Sequence, residues 1–369
     1  MRALFYVGER QWCGCARVFI AAARGLASRG HQTTFVCPGG STAARRADAL
    51  GIDTVPADPD ATAAGDAWWL RRLLQERFVE VVFVHTDREQ LIVSSAMRLA
   101  ERGAVVRRVP AFQPPSVLGS GRLAMRIAST GLLFTTEDEL QQAAESVDLS
   151  SLAIPPAVAP LGVEVTSYDN LRPLPRSSLG APSDSLLVVC SYEPGARLRM
   201  ATVMRTLALL LPRHPEIHLA VLGPGSLDDD LRMHAAALGV STAVSFLGQR
   251  TDDLAVLRTA DVGWVVAGGD EGAFAFLDLM AMRIPVLAER ATMPQHYVAD
   301  GITGVLLSPG ATSHTAAAVA SFLLHAERRT AMGNAARTRV QRDFAEASFI
   351  DGLERALAAA SDRSRWAVR

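Results

Sequence analysis

Gly268-Gly269-Asp270-Glu271-Gly272-Ala273-Phe274-Ala275-Phe276-Leu277-Asp278-Leu279-Met280-Ala281-Met282-Arg283-Ile284-Pro285-Val286 is the most informative stretch of the chain. It follows the apolar run Val262 to Val266 and turns through a glycine-rich, acidic segment into Ala273 to Met282, which reads as a helix. Pro285 to Ala288 reads as the next strand. A helix opening near Gly272 directs its N–H groups and the positive end of its dipole toward any anion placed there. Asp270 at the turn and Asp278 two helical turns further on are candidates to bracket such a ligand at the helix start. Read without a ligand, Asp270 and Glu271 are favourable charges in a first turn, and Asp278 is a residue of the helix surface.

Outward from this unit, short β-branched runs alternate with amphipathic segments along the whole chain, the pattern of βαβ units around parallel sheets. At the start, strand Ala3 to Val7, helix Cys15 to Ser28 and strand Thr33 to Cys37 form the first such unit. Further strands are expected at Val79 to His85, Ala104 to Val109, Leu132 to Thr135 and near Leu152 to Ile154, with helices Trp68 to Phe78, Arg88 to Arg102 and Arg122 to Ser129 between them. From Glu164 to Ser185 the composition shifts to Ser, Pro, Asp, Asn and Arg, which reads as a linker without packed elements. A second alternating series starts at Leu186, with a helix expected at Ala201 to Leu211. The 369 residues, at roughly 150 per domain, match two domains. Expected boundaries are 1–164 for the first, 165–184 for the linker, 185–344 for the second, and 345–369 for a terminal helix returning to the first. The fold class is α/β: two doubly wound Rossmann-like domains facing across a cleft, each with its ligand crevice at the carboxyl ends of its strands.

Composition narrows the chemistry. Apolar residues make up 49% and charged residues 20%, as in ordinary globular proteins, and the net charge of -1 gives no footprint for nucleic acid. The sequence contains no lysine, so Schiff-base chemistry, the Walker A lysine and the kinase strand lysine are excluded. Cys13, Cys15, Cys37 and Cys190 are too scattered for a disulfide framework and point to a reducing compartment. No metal site is expected: Cys13 and Cys15 lack further ligands, and Asp58-Pro59-Asp60 and Asp228-Asp229-Asp230 read as solvated caps. Nothing has the length of a membrane span or a signal h-region, so a cytoplasmic protein is expected. Trp68-Trp69 reads as core and rim packing. Arg107, Arg108, Arg122 and Arg126 form an arginine-rich stretch that reads as ordinary surface; the alternative is peripheral contact with anionic lipid at the inner membrane face, or with an anionic acceptor.

The stretch around Asp270 resembles the retaining glycosyltransferases of the GT-B fold, family-four type (glycosyl transferases group 1). Their E-x7-E signature is followed by an Ala-Met-Ala-like run and a Pro-Val strand, with Asp270 and Asp278 at the two glutamate positions here. Weaker likenesses follow in the same order along the chain: Gly14-Cys15-Ala16-Arg17, Phe83-Val84-His85-Thr86, Leu161-Gly162-Val163-Glu164, Arg213-His214-Pro215, Leu222-Gly223-Pro224-Gly225, Phe246-Leu247-Gly248 and Ala260-Asp261-Val262. The resemblance implies transfer of a sugar from a nucleotide-diphosphate sugar, a co-substrate used with no metal, to a glycan, lipid or small-molecule acceptor, with retention. By resemblance, His85, Arg197, Arg199 and Asp270 are the catalytic candidates. Gly14, Gln249, Arg250, Gly272, Ala273, Phe274 and Asp278 are the donor-binding ones. The sequence departs from the pattern where the family has an Arg-x4-Lys diphosphate clamp, here Ser191-Tyr192-Glu193-Pro194-Gly195-Ala196-Arg197-Leu198-Arg199. Arg197 or Arg199 is the candidate replacement for the lysine, and Glu193 lies close to the place of the missing arginine. The family's histidine after the fourth strand of the first domain is missing too, since no histidine lies between His85 and His214. These departures keep two alternatives open: a non-catalytic binding or partner subunit, and a nucleotide-sugar epimerase of the same fold.

Overall fold

The computed structural model describes residues 1–110, 124, 127–146, 148–193, 195–223, 225, 228–310 and 312–364. The chain divides into two compact units, Met1–Leu161 with Glu346–Arg369, and Gly162–Ala345.

The first unit is built on a seven-stranded parallel sheet in the order β3-β2-β1-β4-β5-β6-β7. The strands are β1 (Arg2–Tyr6), β2 (Gln32–Pro38), β3 (Thr54–Ala57), β4 (Val81–Val84), β5 (Ala104–Arg108), β6 (Thr130–Phe134) and β7 (Ala157–Val158). Helices α1 (Gly14–Ser28), α2 (Thr42–Ala49), α3 (Ala63–Glu76), α4 (Asp87–Ala100) and α5 (Glu137–Ser146) alternate with them. Apart from Arg2 at the start of β1, the central strands are buried along their length, as a sheet covered on both faces requires. One face packs Phe5, Phe19 and Phe83 together, with ring centroids 4.6 to 6.3 Å apart. The last edge strand is not at Leu152 to Ile154. Pro155-Pro156 has no N–H to give a ladder, so pairing begins only at Ala157. Helix α2 and strand β3 were not anticipated, because Thr42-Ala43-Ala44-Arg45-Arg46 shows too few large apolar residues to mark a stripe. Arg107 and Arg108 also differ from expectation. Both are buried at the end of β5, where Arg107 pairs with Asp87 and donates to Gln90 Oε1 at 3.0 Å. Arg122 and Arg126 lie outside the described residues.

The first unit is completed by the chain's last helix, α13 (Glu346–Asp362), which lies against α1, β5, β6 and β7. Its Glu354 accepts hydrogen bonds from His31 and Arg29, each at 2.6 Å, and these hold its carboxyl below the usual glutamate range. A depressed folded value stabilises the fold above the unfolded glutamate pKa of about 4.3, and that contribution disappears as pH falls through the lower folded value. Acid melting curves of the wild type and Glu354→Gln should therefore converge on acidification and separate near neutrality, with the wild type melting higher.

The second unit holds a six-stranded parallel sheet in the order β10-β9-β8-β11-β12-β13. Its strands are β8 (Leu186–Ser191), β9 (Ile217–Leu222), β10 (Val244–Gly248), β11 (Val262–Val265), β12 (Val286–Glu289) and β13 (Gly304–Leu307). Its helices are α6 (Arg197–Leu210), α7 (Asp228–Ala237), α8 (Asp253–Thr259), α9 (Gly269–Ala281), α10 (Thr292–Tyr297), α11 (Ser313–Leu323) and α12 (Ala326–Asp343). Residues 165–184 belong to this unit and are packed, contrary to the reading of a bare linker. They form helical turns at Val165–Tyr168 and Arg176–Leu179, and Val165, Tyr168 and Leu179 are buried. Such short turns need no apolar periodicity and so leave little trace in composition. Ion pairs fasten them, Arg337 to Asp169 at 2.8 Å and Arg176 to Asp261 at 2.9 Å.

Candidate functional site

In the second sheet the chain moves outward from β8 in opposite directions, to β9 and β10 on one side and to β11, β12 and β13 on the other. The loops after β8 and β11 therefore part at a topological switch point, where open parallel sheets bind ligands. The first loop carries Tyr192, Glu193 and the start of α6; the second carries Gly268 and the start of α9.

Helix α9 begins at Gly269, four residues before the expected start at Ala273. Asp270 and Glu271 therefore lie inside the first turn, where acidic side chains oppose the positive end of the dipole. The early start changes which groups face an anion. The N–H of Gly272 already bonds Gly268 O at 3.0 Å, and Ala273 and Phe274 are buried in the helix interior. The N–H groups preceding the first intrahelical bond are those of Gly269, Asp270 and Glu271, not those of Gly272, Ala273 and Phe274. Gly272 has a packing reason instead: a Cβ there would lie 2.2 Å from Ala267 O and 2.6 Å from Met293 Cε. Gly272→Ala should thus destabilise the second unit by about 1–3 kcal/mol through overpacking, although alanine is normally the better helix former by about 1 kcal/mol. Denaturant melting checks this, and a rise in stability would show that the close approach relaxes.

Arg199, in the first turn of α6, reaches this corner. Its Nε donates to Val266 O at 2.8 Å and its guanidinium bonds Glu193 Oε1 at 2.5 Å. The Glu193 carboxylate in turn rests at the head of α9, 2.9 Å from where a Cβ on Gly268 would stand. Arg197 points elsewhere, 3.4 Å from Asp230, with its side chain 69% exposed. Beside Glu193 on the same loop, the ring of buried Tyr192 packs against Gly223, and its hydroxyl accepts the Gly225 N–H at 3.1 Å. Gln249 is exposed just beyond β10, and Arg250 forms a two-bond pair with Asp252 at 2.7 and 2.8 Å. Strand β10 is two strands from β8, roughly 10 Å at the ordinary strand spacing, a distance a nucleotide spans.

Asp278 is not at the helix start with Asp270. Eight residues at 1.5 Å rise separate them by roughly 12 Å, and Asp278 lies near the carboxyl end of α9. It is buried and accepts the hydroxyl of buried Tyr168 at 2.5 Å. The two acids therefore stand at different ends of α9 rather than together at its head. No sequence signal pointed to Tyr168.

The first unit has a comparable crevice at its own switch point, between β1 and β4. A cavity of about 400 Å³ opens there, lined among others by Tyr6, Gly8, Arg10, Asp66, Arg88 and Glu89. Burial pushes the Asp66 carboxyl up, with Arg88 opposing it. Burial and the charges of Asp66 and Glu89 push the Tyr6 phenol up. Glu89 closes the crevice floor by accepting the N–H groups of Gly8 at 2.6 Å and of His85 and Thr86 at 2.9 Å. Sequence reasoning missed Tyr6, Asp66 and Glu89; the available signal was the capping box of Thr86 and Glu89. His85 ends β4 half-buried, its ring edge-on to Phe19 with centroids 6.3 Å apart. Gly14 opens α1 and is buried, with Cys13 Sγ accepting the Ala16 N–H at 3.4 Å. Among the described residues no group of three His, Cys, Asp or Glu side chains is arranged to hold a metal ion.

Two open parallel sheets, each with helices on both faces and a crevice at its switch point, define the GT-B class. Solved structures share this fold over 97% of the chain. A glycosyltransferase from Rickettsia africae aligns with a TM-score of 0.78 at 15% identity over 98% of its length. HepE from Anabaena, solved with UDP and glucose, aligns with a TM-score of 0.79 at 16% identity over its full length. Residues 177–339, within the second unit, match the family Glycosyl transferases group 1. Among curated relatives, a D-inositol 3-phosphate glycosyltransferase of Corynebacterium jeikeium is 28% identical over 215 residues, 55% of this chain and 51% of the relative. The lipopolysaccharide core biosynthesis glycosyltransferase LpsE of Rhizobium meliloti is 26% identical over 50% of this chain and 53% of its own length. The chain thus spans about half the length of the curated relatives it matches.

Proposed function

We propose that the second unit binds a nucleoside-diphosphate sugar at the head of α9 and that the chain transfers the sugar, with retention, to an acceptor hydroxyl held in the crevice of the first unit. The observation that carries this reading is the meeting of Arg199 with the N-terminus of α9 at the switch point of the sheet, inside the segment that matches the family. A departing diphosphate needs fixed cations and N–H donors in place before the bond breaks, and this corner supplies both. Glu193 holds the same corner through its bond to Arg199, so an incoming phosphate displaces its carboxylate and takes over Arg199. Gln249 and Arg250, beyond β10, lie where the base of the nucleotide ends. In the first unit, Asp66 meets acceptor hydroxyls and Arg88 an anionic group on the acceptor, a reading favoured by the inositol phosphate named for the corynebacterial relative. The four cysteines are free, which suits a cytoplasmic setting.

Titration calorimetry with UDP, and then with the other nucleoside diphosphates, tests the donor half directly. One-to-one binding of at least one of them is expected. No heat with any of them would replace this reading with that of a non-catalytic relative.

A further inference from the structure

The exposed side of α3 and the ends of α3 and α4 carry a surface that the proposed reaction does not use. Trp68, Phe78 and Leu99 are 62%, 53% and 47% exposed. They form one belt with arginines set between them. The Arg71 guanidinium lies 5.0 Å from the Trp68 ring, and its Nε donates to Leu99 O at 3.2 Å. At the same end of α4, Arg102 stands 5.2 Å from the Phe78 ring, and Arg2 stands 5.4 Å from it. Phe78 holds its place at a conformational cost. It follows the end of α3 with φ of 55°, at the position where helices favour glycine. Glycine would hold that conformation without the strain, and the phenyl ring is left half exposed. Beside it a hollow of about 470 Å³ is lined by Arg2, Gln32, Thr34, Asp53, Glu76 and Arg77, with Arg77 paired to Asp53.

We propose that this belt docks the first unit on an anionic lipid bilayer, with Trp68, Phe78 and Leu99 entering the interfacial region. The pattern decides between a bilayer and a protein partner. Protein interfaces concentrate apolar residues in a core depleted of charge. Here an arginine separates each apolar side chain from the next, an arrangement that matches headgroup phosphates alternating with acyl boundary. The charge balance has the required sign. With Arg72 paired to Glu76 (2.6 Å) and Arg77 to Asp53, Arg2, Arg71, Arg98 and Arg102 outnumber Glu80 and Glu101. This belt is distinct from Arg107 and Arg108, whose burial removes them from any lipid surface. Phe78 and Arg102 lie at the amino ends of β4 and β5, the sheet edge opposite the crevice, so a docked bilayer leaves the crevice open.

The test is flotation of the full chain with vesicles of phosphatidylcholine alone or with one-third phosphatidylglycerol, at low and high salt. Binding to the anionic vesicles, weakened by salt, is expected. Phe78→Gly combined with Trp68→Ser should reduce that binding about tenfold or more. Phe78→Gly alone should keep or raise the melting temperature, because glycine relieves the strained backbone; this separates lost docking from lost folding. Failure of the wild type to bind anionic vesicles, or unchanged binding by the double variant, overturns the proposal. So does a wild-type dimer in solution that the double variant dissociates, which would assign the belt to a second copy. The result is independent of whether a nucleoside diphosphate binds the second unit.

Discussion

Arg199→Ala should lower the rate of sugar transfer about a hundred- to a thousandfold, the equivalent of about 2.7–4 kcal/mol of transition-state stabilisation. The sequence has no lysine, so the permanent cation at the switch point must be an arginine. Of the two candidates, Arg197 is turned to Asp230 and largely solvated, whereas Arg199 is braced by Val266 O at the base of α9. A guanidinium held through Nε keeps its terminal nitrogens for a phosphate, which a lysine ammonium cannot meet with the same two-bond geometry. Arg199→Lys should therefore recover only part of the loss. Glu193→Gln supplies a result of opposite sign. It removes the carboxylate that bonds Arg199, and affinity for the nucleoside diphosphate should rise about fivefold, or about 1 kcal/mol for a part-exposed charge. If transfer and binding are unchanged in Arg199→Ala, the residue is only a brace between Val266 and Glu193. If Glu193→Gln binds more weakly, the carboxylate positions Arg199 rather than competing for it.

The alternation of strands and helices was legible in the sequence because each buried strand is a short β-branched run closed by a turn signal. Val81–Val84 and Val262–Val265 are examples. What escaped was set by groups distant in sequence. Gly268 and Gly269 read as a turn, yet they admit the first turn of α9 early, and this moved the helix start from near Gly272 to Gly269 and put Asp278 near the carboxyl end. Residues 165–184 read as a linker because Tyr168 owes its burial to Asp278, 110 residues away, and Asp169 is fixed by Arg337. Arg107 and Arg108 read as surface because local sequence gives no sign of the Asp87 and Gln90 that receive Arg107. The departure from the family's diphosphate clamp was legible, but only the fold brings Arg199, and not Arg197, to Val266 O and Glu193.

A chain ending at Ala345 should lose the folded first unit altogether while keeping the second. The deleted helix, α13, places Phe349, Ile350, Leu353 and Leu357 in the first unit's interior, all 3% exposed or less. Their spacing of one, three and four residues makes one apolar stripe. At about 1.5–3 kcal/mol each, their burial amounts to roughly 6–12 kcal/mol, comparable with the entire stability of a domain. The neighbours have been shaped for this helix and are left with a void when it is gone. Gly25 on α1 brings its backbone so close that a Cβ would stand 2.4 Å from Ile350 Cδ1, and Gly352 of α13 approaches Val158 O to 3.0 Å by the same measure. Edge pairs of Arg24 with Glu346 and Arg29 with Asp351 and Glu354 add little beside this, being exposed. The second unit runs from Gly162 to Ala345 and closes on itself through the Val163 N–H to Phe344 O bond at 3.0 Å, so the truncation leaves its elements intact. Calorimetry of the 1–345 fragment should thus show one surviving transition and retained binding of the nucleoside diphosphate, with Leu353→Asp in the full chain reproducing the same loss. A fragment that keeps both transitions would mean that the sheet of the first unit buries its β5 to β7 face without α13.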